Sequence, residues 1–148
     1  MSQVLVFRLG DELYGLEVTR IQEVAEAPSL HYIPRAPEHF LGAINFHGNI
    51  LPVFDLGAFL GFASREKDER VIVLTGADGN MALAAEQIKG FVPYDAEALM
   101  PVDQERKNNS YIHSVMSREE EMINLLDIDE LLGHLEVHLD GTGGQRGA

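Results

Sequence analysis

The sequence predicts a mainly β protein made of two small β-barrels of like topology, packed together. Three observations point there. Short apolar runs with a period of two, punctuated by Gly, Asp and Pro turns, fill most of the chain. Helical periodicity is confined to short stretches. The apolar pattern of the first half recurs in the second.

Taken in order, Leu5, Phe7 and Leu9 alternate with Val4, Val6 and Arg8, Gly10-Asp11-Glu12 is a turn, and Tyr14, Leu16 and Val18 alternate again. Residues 4–18 are therefore a predicted hairpin. Ile21 and Val24 continue into another extended piece. Pro28, Pro34 and Pro37 break regular structure, and Glu38 to Leu41 is expected to form one helical turn between Pro37 and Gly42. In the segment 42–56 two apolar strands flank His47-Gly48, where Gly supplies the positive φ of a tight hairpin turn. Asp55 is expected to cap a short helix through Leu60, ended by Gly61.

Ser64 to Arg70 is a charged loop. Val71 to Leu74 is a short continuous apolar run, the mark of a buried strand, and Met81 to Ala85 is its partner across a turn at Gly76 to Asn80. Pro93 to Asn109 is irregular and polar apart from Ala98-Leu99-Met100. Tyr111 to Met116 and Met122 to Leu126 are predicted strands joined by Arg118 to Glu121. A last helix is expected from Asp127 to His138. Asp127 is its N-cap, Glu130 holds the capping-box position, and Ile128, Leu131, Leu132 and Leu135 form one apolar face. Gly141 to Ala148 is a flexible tail with no capacity to form a core.

The repeat can be placed by offset. Tyr14, Leu16, Val18, Ile21 and Val24 align with Met81, Leu83, Ala85, Ile88 and Phe91 at an offset of 67. Ile50, Leu51, Val53, Phe54, Asp55 and Leu56 align with Met122, Ile123, Leu125, Leu126, Asp127 and Ile128 at an offset of 72. The expected organisation is one domain over residues 1–140. It has two pseudo-repeated lobes, roughly 1–70 and 71–126, then the helix 127–138, with the tail 141–148 outside it.

The chain has 148 residues, enough for a self-sufficient core. Eleven Lys and Arg stand against 24 Asp and Glu, a formal net charge of −13, which disfavours nucleic acid and anionic membrane surfaces as partners. The absence of Cys excludes disulfides, thiolate nucleophiles and Cys-ligated metals. No basic n-region with an apolar run opens the chain, and its longest uncharged stretch, His39 to Phe54, is too polar and short to span a bilayer. The expectation is a soluble, cytoplasmic protein.

Candidates for chemistry are few. His134 and His138 share a helix face, with Glu130 one turn before them, and could hold a metal, but no Cys joins them and Gly133 and Gly141 mark a fraying end, so a solvated face is the simpler reading. His31, His39, His47 and His113 are scattered, and Ser29, Ser64, Ser110, Ser114 and Ser117 sit in no nucleophile motif. Gly76-Ala77-Asp78-Gly79 lacks the Lys of a phosphate loop. Glu119-Glu120-Glu121 reads as a solvated turn. No enzyme, cofactor or metal is expected.

The segment 42–56 resembles the CheW-like family of chemotaxis coupling proteins, whose pattern Gly42, Ile44, Asn45, Gly48, Ile50, Pro52, Val53, Asp55 and Leu56 match. Leu9 to Val18 resembles the family's opening hairpin, Ile21-Gln22-Glu23-Val24 its next strand, Ile33 to Pro37 its Pro-rich lead-in, and Met122 to Leu132 its closing strand and helix. The resemblance covers Val4 to about Leu132. It implies two SH3-like five-stranded barrels around a shared core. It also implies a non-catalytic adaptor that joins the cytoplasmic tips of methyl-accepting chemoreceptors to the regulatory domain of a CheA-type histidine kinase, at the inner membrane face through receptor arrays. By the family pattern, Ile21, Glu23, Gly42, Asn45, His47 and Gly48 are the expected partner-binding residues. Ile21 would be an apolar anchor and Glu23 would pair with a basic group.

The family carries Arg where His47 stands. Arg offers five donors in a fixed fork and His at most two, so a bidentate carboxylate contact would be lost or made pH-dependent. The alternative is a divergent regulatory or small-ligand-binding protein outside a receptor array.

Overall fold

The computed structural model describes residues 2–26, 28–63, 66–75, 80–102 and 111–135. Its strands are β1 (Gln3–Leu9), β2 (Glu12–Glu17), β3 (Ile21–Ala25), β4 (Phe40–Phe46), β5 (Asn49–Asp55), β6 (Val71–Leu74), β7 (Ala82–Ala84), β8 (Gln87–Pro93), β9 (Leu99–Met100), β10 (Ile112–Arg118) and β11 (Glu121–Leu126). Helix α1 is Leu56–Phe59, and α2 covers the described residues 128–135. The strands form two sheets, ordered β8-β1-β2-β11-β10-β9 and β3-β6-β7-β5-β4.

The alternation of side chains explains both sheets. Val4 and Val6 of β1 point into a cluster with Leu13, Met116, Ile123 and Leu125, the filling of the first sheet. Val71 and Val73 of β6 do the same in the second, with Ile44, Phe46, Leu51 and Val53. In that second cluster all five strands contribute to one interior, so the sheet curls around it as a small barrel. Leu5, Phe7 and Leu9 point the other way, as do Ile72 and Leu74, and they meet in a third core between the barrels. The hairpins β1–β2 and β6–β7 are thus buried on both faces. The runs Val4 to Phe7 and Val71 to Leu74 are accordingly apolar at every position.

The repeat is present down to single residue pairs. Ile21 pairs with Leu74 and Glu23 with Val73; at an offset of 67 lie the pairs of Ile88 with Phe7 and of Gly90 with Val6. Gln22 and Lys89 are the extra residues of equivalent bulges. Phe40 pairs with Phe54 and Gly42 with Val53, which at an offset of 72 become Ile112 with Leu126 and Ser114 with Leu125. The parallel junctions match too: Val53 with Ala82 is repeated as Leu125 with Gly15. Both helix starts are built alike. The Asp55 and Asp127 backbone N–H groups donate to the carbonyls of His39 and Tyr111, each at 2.7 Å. The Asp55 and Asp127 side chains accept from Ala58 and Glu130 N–H.

The sheets do not follow the two halves of the chain, however. The first takes the hairpin β1–β2 from one repeat and β8 to β11 from the other, and the second takes β6–β7 from one and β3 to β5 from the other, so the sheets do not divide at residue 70. The physical reason is that β3 and β5 pair with β6 and β7, and β8 and β11 with β1 and β2, which places the first hairpin of each repeat in the sheet of the other. The helical turn expected at Glu38 to Leu41 is a β-turn closed by Phe40 N–H on the Pro37 carbonyl at 3.2 Å, because Phe40 already belongs to β4. Strand β8 was signalled only by its place in the repeat, and the region after Pro93 holds a 3-10 turn, Ala96–Ala98, before β9. The expected turn at Gly76 to Gly79, the start of the charged loop at Ser64, residues 103–110, the helix end with His138, and the tail 141–148 lie outside the described residues.

Two local features lock the frame. Leu30 and His31 lie against the outer edge of β4, where His31 and Ala43 exchange backbone hydrogen bonds of 2.7 and 2.8 Å. A Cβ on Gly42 would stand 2.4 Å from the His31 carbonyl oxygen, so only Gly allows this approach. On the other side, Asp68 accepts from the Arg70 guanidinium at 3.1 Å and from Ile88 N–H at 2.8 Å, tying the approach to β6 onto β8. Burial pushes the Asp68 carboxyl up, but hydrogen bonds from Arg70 and Ile88 outweigh it and bring the pKa to about 2.

Since the folded value lies below the ordinary one, this stabilisation is present above about pH 4 and is lost as pH falls toward 2. Asp68→Asn is expected to cost about 2 kcal/mol at pH 7 and to flatten the loss of stability between those limits. Urea denaturation at pH 7 and pH 2.5 checks this, and parallel pH profiles for the two forms would contradict it. Gly42→Ala is expected to cost about 1–3 kcal/mol and to strip hydrogen-exchange protection from the His31 and Ala43 amides first. Unchanged protection there would disprove the role given to Gly42.

Candidate functional site

The mouth of the second barrel brings together most of the residues singled out by sequence. The β4–β5 turn carries His47 with φ 49° and Gly48 with φ 87°, the two successive positive values of a type I′ hairpin. Asn45 Oδ1 accepts from Gly48 N–H at 3.0 Å and holds the turn shut. This projects His47 beside β3. Its Nε2 lies 3.4 Å from Glu23 Oε1, and its ring sits 4.2 Å from the Phe46 ring. Both partners are open to solvent: the His47 side chain is 69% exposed and that of Glu23 48%.

Next to the pair is a cavity of about 310 Å³ lined by Gln22, His47, Asn49, Ile50, Leu74 and Asn80, among others. Ile50 is 68% exposed, a large apolar side chain at the rim. The strand alternation carries that signal, since Leu51 and Val53 face the interior and Ile50 faces out, but an apolar run alone does not announce it.

The other two residues sit differently. Ile21 is half-buried and packs against the core between the barrels, so only part of it is available as an anchor. Gly42 is buried under Leu30 and His31 and shapes β4 rather than presenting a contact. Leu30 and Tyr32, exposed at 50% and 81%, had no sequence signal beyond their Pro-rich setting.

The first barrel has an equivalent mouth with different chemistry. Lys89 takes the place of Gln22, Gly90 of Glu23, Glu119 of His47 and Met122 of Ile50. A cavity of about 220 Å³ there is lined by Leu13, Lys89, Phe91, Arg118, Glu119 and Glu121, among others. Glu119 and Glu120 have φ of 49° and 66°, the same turn type without Gly. Phe91 is about half exposed at its rim.

The remaining histidines do not converge. His134 packs on the rings of Phe59 and Tyr111 at 5.7 and 5.8 Å. Burial and the nearby Glu130 charge push the Tyr111 phenol up. His113 Nδ1 lies 2.8 Å from Ser114 Oγ, but its Nε2 stands 3.9 Å from Glu17, beyond hydrogen-bond reach, and Ser114 is buried in its bulge. Among the described residues no group of three His, Asp or Glu side chains could hold a metal, and no helix is long and apolar enough to cross a membrane.

Comparison with known proteins agrees with this geometry. The family model of the CheW-like domain matches residues 3–136. The chain is 26% identical to the chemotaxis protein CheW of Klebsiella aerogenes, over 93% of this chain and 86% of that protein. It is 28% identical to the protein FrzA of Myxococcus xanthus, over 88% and 85%. The crystal structure of the scaffolding protein TtCheW from Thermoanaerobacter tengcongensis matches with a TM-score of 0.70 and 28% identity, over 84% of this chain and 87% of that one. The two-barrel frame, the repeated bulges and the family match over nearly the whole length place this chain in the CheW-like domain family.

Proposed function

We propose that this chain is a coupling adaptor of chemotaxis or a related chemosensory pathway, working by binding alone. The reading is that it bridges the cytoplasmic tips of chemoreceptors to the regulatory domain of a CheA-type histidine kinase, in the cytoplasm beneath the receptors. The family match from residue 3 to 136, a relative named as a chemotaxis protein and a matched structure named as a scaffolding protein support it.

The structural observation that carries the reading is the pair of equivalent mouths. An adaptor needs two docking faces held at a constant distance. Two barrels sharing one core would provide them, each rimmed by an exposed apolar residue, Ile50 or Phe91. Their linings differ in charge, so they suit different surfaces. A receptor-driven change reaches the kinase only if the partners contact the adaptor differently in their two states. In this reading Ile50 joins Glu23, Asn45, His47 and Gly48 at the docking face, Ile21 backs it from the core, and Gly42 keeps β4 in place.

Titration against the regulatory domain of a CheA-type kinase tests this. Saturable binding is expected, with a Kd in roughly the micromolar range of transient interfaces. Ile50→Asp, at an exposed position that leaves the core intact, is expected to weaken it at least about tenfold. No saturable binding by folded wild-type protein would overturn the coupling role.

A further inference from the structure

Resting on the reading that the His47 face docks the regulatory domain of a CheA-type kinase, we infer that His47 makes this face a proton-gated site, which engages a hydrogen-bond acceptor on that domain, carboxylate or carbonyl, when the imidazole is doubly protonated. The geometry assigns the two ring nitrogens different tasks. Nε2 faces the Glu23 carboxylate at 3.4 Å, and a carboxylate only accepts. In the neutral ring the single proton is therefore held at Nε2, and Nδ1 is left as an acceptor. Protonation turns Nδ1 into a charged donor and the pair from net negative to neutral. An acceptor on the partner meets a lone pair in one state and an N–H in the other.

The surroundings make His47 the group that decides. The elements against it are β3 with Gln22 and Glu23, β4 with Asn45 and Phe46, β5 with Asn49 and Ile50, β6 with Leu74, and Asn80. Among these described residues Glu23 is the one charged group. The turn is pinned by Asn45 and by its left-handed backbone, so the ring is positioned before a partner arrives. The equivalent positions of the other mouth hold Glu119 and Gly90, so the gate has no counterpart there. Histidine is the side chain whose ordinary charge change falls between pH 5 and 8, which is what an Arg at this position would forgo.

The test is a calorimetric titration of the full chain with the kinase regulatory domain at pH 6 and pH 8, using wild type, His47→Arg and His47→Gln. Wild type is expected to bind about three- to fivefold tighter at pH 6, the scale of one exposed charge-assisted contact. His47→Arg should bind tightly at both values and His47→Gln weakly at both. Dividing wild type by His47→Arg removes the partner's own titration. A ratio that does not change with pH overturns the gate while leaving the docking reading standing. Absence of binding by every folded form overturns the docking reading and the gate with it. Independently of any partner, the His47 imidazole resonance is followed by NMR in the free chain. At pH 8 the ring proton is expected at Nε2, facing Glu23 Oε1, and a proton held at Nδ1 instead overturns the pairing on which the gate depends.

Discussion

The back-to-back packing of two hairpins governs this molecule. β1–β2 and β6–β7 each fill a barrel with one face and meet each other with the opposite one, through Leu5, Phe7 and Leu9 on one side and Ile72, Leu74 and Leu83 on the other. A strand buried on both faces cannot slip by one residue without driving its apolar set into the wrong compartment. The bulges at Gln22 and Lys89, repeated in register, fix the same frame from the outer strands. Where the two repeats join in parallel, small residues let the backbones close in, Gly15 opposite Leu125 and Ala82 opposite Val53.

That frame makes the mouths what they are. The strand exchange couples both barrels to the same core, so the two hairpin turns, at His47 and at Glu119, are held at a constant separation by the most buried part of the protein. The turn at 47 is closed by an Asn–Gly pair and carries a histidine against a glutamate. The turn at 119 is two glutamates in left-handed backbone beside Arg118. Equivalent positions on one scaffold thus present two chemistries. A scaffold that binds two different partners needs that asymmetry, and electrostatic complementarity selects between partners more than it adds affinity.

Much of this was legible beforehand because it is written in period and punctuation. Val71 to Leu74 marks a doubly buried strand by having no polar position, and Asp55 and Asp127 mark the helix starts by following a strand directly. The repeat offsets of 67 and 72 survive unchanged into the pairing registers. The assignment of repeats to sheets was not legible, because β3 and β8 cross over, and periodicity says which face a residue occupies but not which strand lies beside it. Glu23 and His47 were singled out together, by the family pattern and not by spacing. Their direct contact was not legible, since 24 residues separate them and only the curl of the sheet closes that distance. Gly42 drew notice as part of a motif, but its reason, the His31 carbonyl above it, exists only in three dimensions.

The claim that one shared core holds both barrels is tested most directly by native-state hydrogen exchange on Phe7→Ala. Phe7 belongs to the first sheet yet packs in the core between the two. Its removal is expected to cost about 3–5 kcal/mol, and to lower the protection of Ile44 in β4 and of Met116 in β10 by the same amount, because both sheets open together. Loss of protection at Met116 with Ile44 unchanged would show two barrels that fold independently, and would contradict the account.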